Sequence, residues 1–213
     1  MSNMHSSRLS SRGSAHHSAV RELVAERAGR QWCLFLDRDG VINRQRVGEY
    51  VRSWRQFEWL PDARCALKKL REWAPHLVVV TNQQGIGKGL MSADDVAAIH
   101  QHLQAELAAD GVVIDAFQVC PHLESALCAC RKPRPGLVLD WLRKHPDSES
   151  LLSIVVGDSQ GDLELAHNVA ATAGGCASIH IGRASSRGVV NASFDSLWDF
   201  AVAVGHAREG AQV

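Results

Sequence analysis

The 213-residue chain carries no net charge: 23 Lys and Arg balance 23 Asp and Glu, and the pI is near 7.2. A phosphate-backbone binder normally presents a basic face, so this balance argues against nucleic acid as a partner. Nor is there an apolar run approaching the roughly 20 residues needed to cross a bilayer, which argues against an integral membrane protein. No internal repeat and no interdomain linker interrupts the pattern. Acids are absent before Glu22, where Ser, Arg and His dominate. Such a start has the composition of a transit peptide without a secretory apolar core, and residues 1–31 are expected to form a disordered tail with a short helix.

What remains is enough for one buried domain over residues 32–205, followed by a frayed end at 206–213. Hydrophobic residues make up 46% of the chain. The six cysteines do not suggest a disulfide framework. Three crowd into positions 120–130, while Cys33, Cys65 and Cys176 stand alone in apolar surroundings. One metal site and three buried thiols suit a reducing compartment, so a cytoplasmic location is expected.

The most informative stretch is Cys33-Leu34-Phe35-Leu36-Asp37-Arg38-Asp39-Gly40, an apolar run that stops at two carboxylates. It reads as a buried strand with acids at its C-terminal end. The pattern repeats: Leu77–Asn82 ends in Thr81 and Asn82, and Val113–Val119 runs into a Cys-rich segment ahead of Lys132. Leu152–Val156 leads to Asp158. Between these strands lie helical periods beginning near Pro61, Ser92, Pro135 and Asp162, and a last helix is expected from about Phe194 to Val204. Ser92 with Asp95 imitates a capping box. Strands alternating with helices imply an α/β fold, a Rossmann-like three-layer sandwich with a mainly parallel sheet.

A parallel sheet gathers its strand ends along one edge, so Asp37, Asp39, Thr81, Asn82, Lys132, Asp158 and Asp162 converge there. Acids for a divalent cation, hydrogen-bond donors and one ammonium form a set suited to phosphoryl transfer. Each has a blander reading. Thr81 and Asn82 can cap a turn, Lys132 can be a solvated charge, and Asp162 can be an acid in a first helical turn.

The order Asp37-x-Asp39-Gly, Thr81-Asn82, Lys132-Pro133 and Gly157-Asp158-x-x-x-Asp162 resembles the four motifs of the haloacid dehalogenase superfamily of aspartyl-phosphate hydrolases. The resemblance implies that Asp37 is the nucleophile and Asp39 the acid and base. It implies that Thr81 and Lys132 bind phosphoryl oxygens, and that Asp37, the Asp39 carbonyl and Asp158 hold Mg²⁺. An acid at Asp39 favours a phosphatase. No insertion between Asp39 and Thr81 is long enough for a cap domain, so loops must select the substrate. Arg131, Lys88 and residues near Tyr50 are candidates for contacting a sugar or second phosphate, although Arg131 and Lys88 can equally be surface charges.

Cys120-x-His122 and Cys128-x-Cys130 supply three thiolates and an imidazole, the preferred ligands of a closed tetrahedral Zn²⁺ site. The zinc-binding loop ends directly before Lys132, where it can fix that side chain. Short members with this loop are similar to two groups, the D-glycero-D-manno-heptose 1,7-bisphosphate 7-phosphatases and the histidinol-phosphate phosphatases. Asp39-Gly-Val-Ile-Asn43, Tyr50-Val51 and the segment Thr81–Gly89 look like the heptose group. The gap from His122 to Cys128 looks like the histidinol group. Ser159 stands where both carry a basic residue, Lys88 replaces an arginine, and Asp62 replaces a glycine. The expected activity is an Mg²⁺-dependent phosphatase of a small phosphorylated sugar, foremost heptose bisphosphate. Histidinol phosphate is the alternative substrate, and a zinc-stabilised scaffold protein is the alternative of another class.

Overall fold

A computed structural model describes residues 16–182 and 190–211. Six parallel strands form its centre in the order β3-β2-β1-β4-β5-β6. They are β1 (Cys33–Leu36), β2 (His76–Asn82), β3 (Ala116–Cys120), β4 (Ile154–Gly157), β5 (Ala177–Ile181) and β6 (Ala192–Phe194). The helices are α1 (residues 16–26), α2 (Ala63–Arg71), α3 (Ala93–Ala109), α4 (Gly136–Lys144), α5 (Gln160–Ala173) and α6 (Leu197–Gly210).

Strand side chains alternate between the two faces, and the core divides accordingly. Leu34 and Leu36 of β1, with Leu77, Val79, Ile154 and Ile179, pack against α1, α2, α3 and α6. Cys33 and Phe35, with Val78, Val80 and Val155, pack against α4 and α5. Both faces of the sheet are covered, which is why its strands read as continuous apolar runs. The strand order runs outward in opposite directions from β1 and β4, and the crevice at such a reversal is where ligands bind.

The excursion from β1 to α2 stays small. Arg44 N–H donates to the Glu58 carbonyl at 2.8 Å and Leu60 N–H to the Ile42 carbonyl at 3.0 Å, so residues 42–60 fold back as a short antiparallel flap. At its end Asp62 adopts φ 57°, a left-handed conformation that Asp tolerates better than most residues and Gly adopts freely. This conformation fits the glycine that the family resemblance implies at that position.

Four expectations need correction. Residues 16–31 are not a tail: Val20, Leu23 and Val24 of α1 are buried, and buried Arg27 donates to the Leu152 carbonyl at 2.6 Å. The C-terminal end is helical through Gly210, with Ala207 buried. Phe194 belongs to an edge strand, not to the last helix, because Ser196 caps that helix by accepting from Asp199 N–H at 3.1 Å. Cys65 is exposed on α2. The start of the tail, and most of the Ser/Gly/Arg-rich loop expected after Ile181, lie outside the described residues.

Candidate active site

Asp37 directly follows β1, its N–H held by the Val156 carbonyl of β4 at 2.9 Å. Lys132 reaches it from the loop before α4, with Nζ 2.7 Å from Asp37 Oδ1 and 2.7 Å from Asp162 Oδ1. Arg38 N–H donates to the same Asp37 oxygen at 2.7 Å. Asp162 therefore does two things at once. One oxygen holds Lys132 and the other accepts from the Ser159 hydroxyl and N–H, closing the capping box of α5. The close approach needs Gly157, where a Cβ would stand 2.1 Å from that of Asp162.

Burial pushes Asp37 up to about 8; Lys132 opposes the rise, and the charges of Asp162 and Asp39 add to it. Asp158 is raised to about 6 by burial and by Asp162. Its Oδ1 is buried without a hydrogen-bond partner among the described residues. Asp37, Asp158 and Asp162 offer carboxylate oxygens all within 4.8 Å of one another, a donor set suited to a hard cation. Since both Asp162 oxygens are engaged, Asp37 and Asp158 are the available pair.

Asp39 sits in a different environment. Arg38 Nη2 donates to its two oxygens at 3.1 and 2.9 Å, Asn43 Nδ2 to Oδ1 at 2.9 Å and Gln83 Nε2 to Oδ2 at 2.9 Å. Burial alone would raise its pKa, but the Arg38 charge and these hydrogen bonds outweigh it and hold Asp39 below the usual carboxylate range. Gln83 also donates to Thr81 Oγ1 at 2.8 Å, which leaves the Thr81 hydroxyl proton free to donate elsewhere.

Asp37, Asp39, Thr81, Asn82 and Lys132 line one cavity of about 420 Å³, which the flap residues Gln45 to Val51 and Lys88 also line. Lys88 Nζ lies 5.4 Å from the centre of the Tyr50 ring. Asp158 borders a neighbouring cavity instead, and Arg131 lines neither, with its Nη1 buried and unpartnered among the described residues. Asn82 uses its side chain on the main chain of Lys132: Nδ2 donates to the Lys132 carbonyl and Oδ1 accepts from its N–H, both at 3.1 Å.

Cys120 ends β3, and His122, Cys128 and Cys130 return to it. The sulfurs lie 3.4–3.6 Å apart and His122 Nδ1 is 3.2 Å from Cys130 Sγ and 3.7 Å from Cys120 Sγ. A tetrahedron with zinc–sulfur bonds of about 2.3 Å has edges of about 3.8 Å, close to these separations.

Arg38, Asn43, Gln83 and His100 were not assigned roles from sequence. His100 had a signal, as a lone polar residue in the apolar stripe of α3 with Val96, Ile99, Leu103 and Leu107.

The polynucleotide kinase 3 phosphatase family matches residues 33–187. The chain is 78% identical over 186 residues, 87% of its length, to a D-glycero-alpha-D-manno-heptose-1,7-bisphosphate 7-phosphatase of Mycobacterium tuberculosis, covering 98% of that protein. It is 38% identical over 146 residues to a D-glycero-beta-D-manno-heptose-1,7-bisphosphate 7-phosphatase of Rhodopseudomonas palustris, covering 65% of this chain and 79% of the relative. The D,D-heptose 1.7-bisphosphate phosphatase of B. bronchiseptica, solved with magnesium and phosphate, superposes with a TM-score of 0.72 at 31% identity, covering 84% of this chain and 99% of that one. With its six-stranded parallel sheet and two acids at the end of β1, the chain belongs to the polynucleotide kinase 3 phosphatase family of haloacid-dehalogenase-type phosphatases, among the D-glycero-manno-heptose-1,7-bisphosphate 7-phosphatases.

Proposed function

We propose that this phosphatase removes the 7-phosphate of D-glycero-α-D-manno-heptose 1,7-bisphosphate. The observation that carries the substrate is the 78% identity over nearly the whole of relatives named for that anomer. The more distant relatives, at 34–38%, include proteins named for either anomer. A cavity of about 420 Å³ suits a small phosphorylated sugar. The family's description names a polynucleotide, but a net charge of zero favours a metabolite.

Arg38 N–H and Lys132 Nζ both contact Asp37 through Oδ1, which leaves Oδ2 to attack phosphorus. As the Asp37–phosphorus bond forms, the bond to the sugar oxygen breaks and Asp39 gives that oxygen its proton. Water then attacks the aspartyl phosphate and passes its proton to Asp39, and Asp37 is released with inorganic phosphate. Thr81 Oγ1–H and Lys132 Nζ bind phosphoryl oxygens. Asn82 serves by holding the Lys132 main chain. Arg131 and Lys88 remain the candidates for the sugar or its second phosphate.

Mg²⁺ would be held by the carboxylates of Asp37 and Asp158 with the Asp39 carbonyl, and supplies charge neutralisation at the phosphoryl group when bound. The orphaned Asp158 Oδ1 supports that set. Zn²⁺ would be held by Cys120, His122, Cys128 and Cys130 as a structural clip. We read the location as cytoplasmic, since none of the six cysteines is paired in a disulfide. No helix among the described residues is long and apolar enough to cross a membrane.

Phosphate release from the α and β anomers and from histidinol phosphate, compared by kcat/KM with Mg²⁺ present, tests the reading. The α anomer should lead. A preference for histidinol phosphate, or for the β anomer, would overturn it.

A further inference from the structure

Arg38 lies between the two acids of β1's tip, and its side chain is 0% exposed. A buried guanidinium is held only by the acceptors it meets. Apart from Asp39, its side chain has one polar contact among the described residues, Nη1 to His100 Nε2 of α3 at 3.2 Å, and its Nε has no partner among them. Arginine can only donate, so His100 accepts through Nε2 and is the neutral tautomer with its proton on Nδ1. Burial, with the Arg38 charge beside it, pushes His100 down to about 3, so the ring stays neutral at any working pH. The imidazole is itself fixed, stacked on Phe117 of β3 with ring centres 4.4 Å apart and planes 13° from parallel.

A contiguous series therefore runs from β3 through Phe117, His100 and Arg38 to the carboxylate of Asp39. We infer that His100 and Arg38 are positioning residues for proton transfer: His100 fixes the guanidinium, and the guanidinium fixes the Asp39 carboxylate at the mouth of the cavity. Neither residue lines that cavity. Their effect on turnover passes through Asp39, so the inference rests on the reading of Asp39 as acid and base.

The test separates proton transfer from general damage by changing the leaving group. The ratio kcat/KM covers steps only through departure of the leaving group. A sugar alkoxide needs a proton there, whereas p-nitrophenolate leaves without one. In His100→Leu, kcat/KM for the heptose bisphosphate should fall about tenfold or more, since small misplacement of a catalytic group costs up to about a hundredfold. For p-nitrophenyl phosphate it should fall less than about threefold by the same reasoning. His100→Gln, which keeps an acceptor, should recover most of the sugar activity. Equal losses on both substrates, or no loss on either, would overturn the inference, as would failure of Gln to rescue with unchanged melting. Asp39→Asn distinguishes the underlying reading: if that variant hydrolyses the sugar phosphate normally, Asp39 is not the acid, whatever His100 does.

Discussion

Asn82 gives the sharpest test of how Lys132 is held. Its side chain makes two hydrogen bonds, each 3.1 Å, to the N–H and carbonyl of Lys132. A neutral hydrogen bond contributes about 0.5–1.5 kcal/mol, so Asn82→Ala should lower stability by about 1–3 kcal/mol. The upper end requires that the loop cannot recruit water, and the lower end that it can. If the whole loss were felt at the transition state, kcat would fall between about fivefold and 150-fold. Asn82→Asp should be worse than Ala. One carboxylate oxygen can still accept from the Lys132 N–H, but the other would face the Lys132 carbonyl oxygen with no proton between them. Urea denaturation and steady-state kinetics with saturating Mg²⁺ measure both effects. A rise in KM at unchanged kcat and unchanged stability would refute the reasoning, because it would make Asn82 a ground-state contact to substrate and not a brace for Lys132.

Gly40→Ala would place a Cβ 2.0 Å from Asp158 Oδ2 on a backbone at φ 92°, so Asp158 must move. The Mg²⁺ concentration for half-maximal activity should rise about 10–100-fold, and an unchanged Mg²⁺ titration would count against Asp158 as a ligand. Cys128→Ser should lose zinc by metal analysis, melt at lower temperature and turn over more slowly, because the clip ends beside Lys132. Full activity in a zinc-free variant would show that the clip does not serve the lysine. His100 titrates at about 3 in the folded chain against 6.5 as its ordinary value, so the unfolded chain binds more protons between those limits. Its contribution to stability is complete above pH 6.5 and is lost as pH falls toward 3, by up to about 1.4 kcal/mol per pH unit. His100→Leu should flatten this acid limb of urea midpoints, and parallel limbs in the two proteins would exclude His100 as its source.

The strand tips were legible because each combines two signals, an apolar run and an abrupt change to polar residues. Asp37, Thr81 and Asp158 stand at or just beyond such changes, Lys132 in the loop that follows β3, and the sheet brings them together. The cysteine loop was legible from spacing alone. The short helix α1 was expected but its burial was not, because its Ser-, Arg- and His-rich approach outweighs three buried apolar residues that matter only when the sheet is there to receive them. β6 was missed because three residues are too short for period-two alternation to register. The expected burial of Cys65 failed because its apolar neighbours Ala66 and Leu67 face the core while position 65 faces outward on the same helix. Asp162 illustrates a different limit: sequence offered a helix cap or a site residue as alternatives, and its two oxygens perform both.

The opposed environments of Asp37 and Asp39 show what the ligands must supply on the proposed mechanism. Before they bind, burial raises the proton affinity of Asp37 against the pull of Lys132, while the Arg38 charge and four hydrogen bonds lower that of Asp39. Attack on phosphorus needs the reverse, an ionised Asp37 and a protonated Asp39. A cation shared by Asp37 and Asp158 would favour the Asp37 carboxylate. A phosphoryl dianion entering the cavity adds negative charge beside Asp39 and raises its affinity for a proton. The acid is therefore armed by the substrate it will protonate. Arg38 sets how far Asp39 must be shifted, and a substitution such as Arg38→Met should move the apparent pKa of Asp39 upward even as it frees the carboxylate to wander.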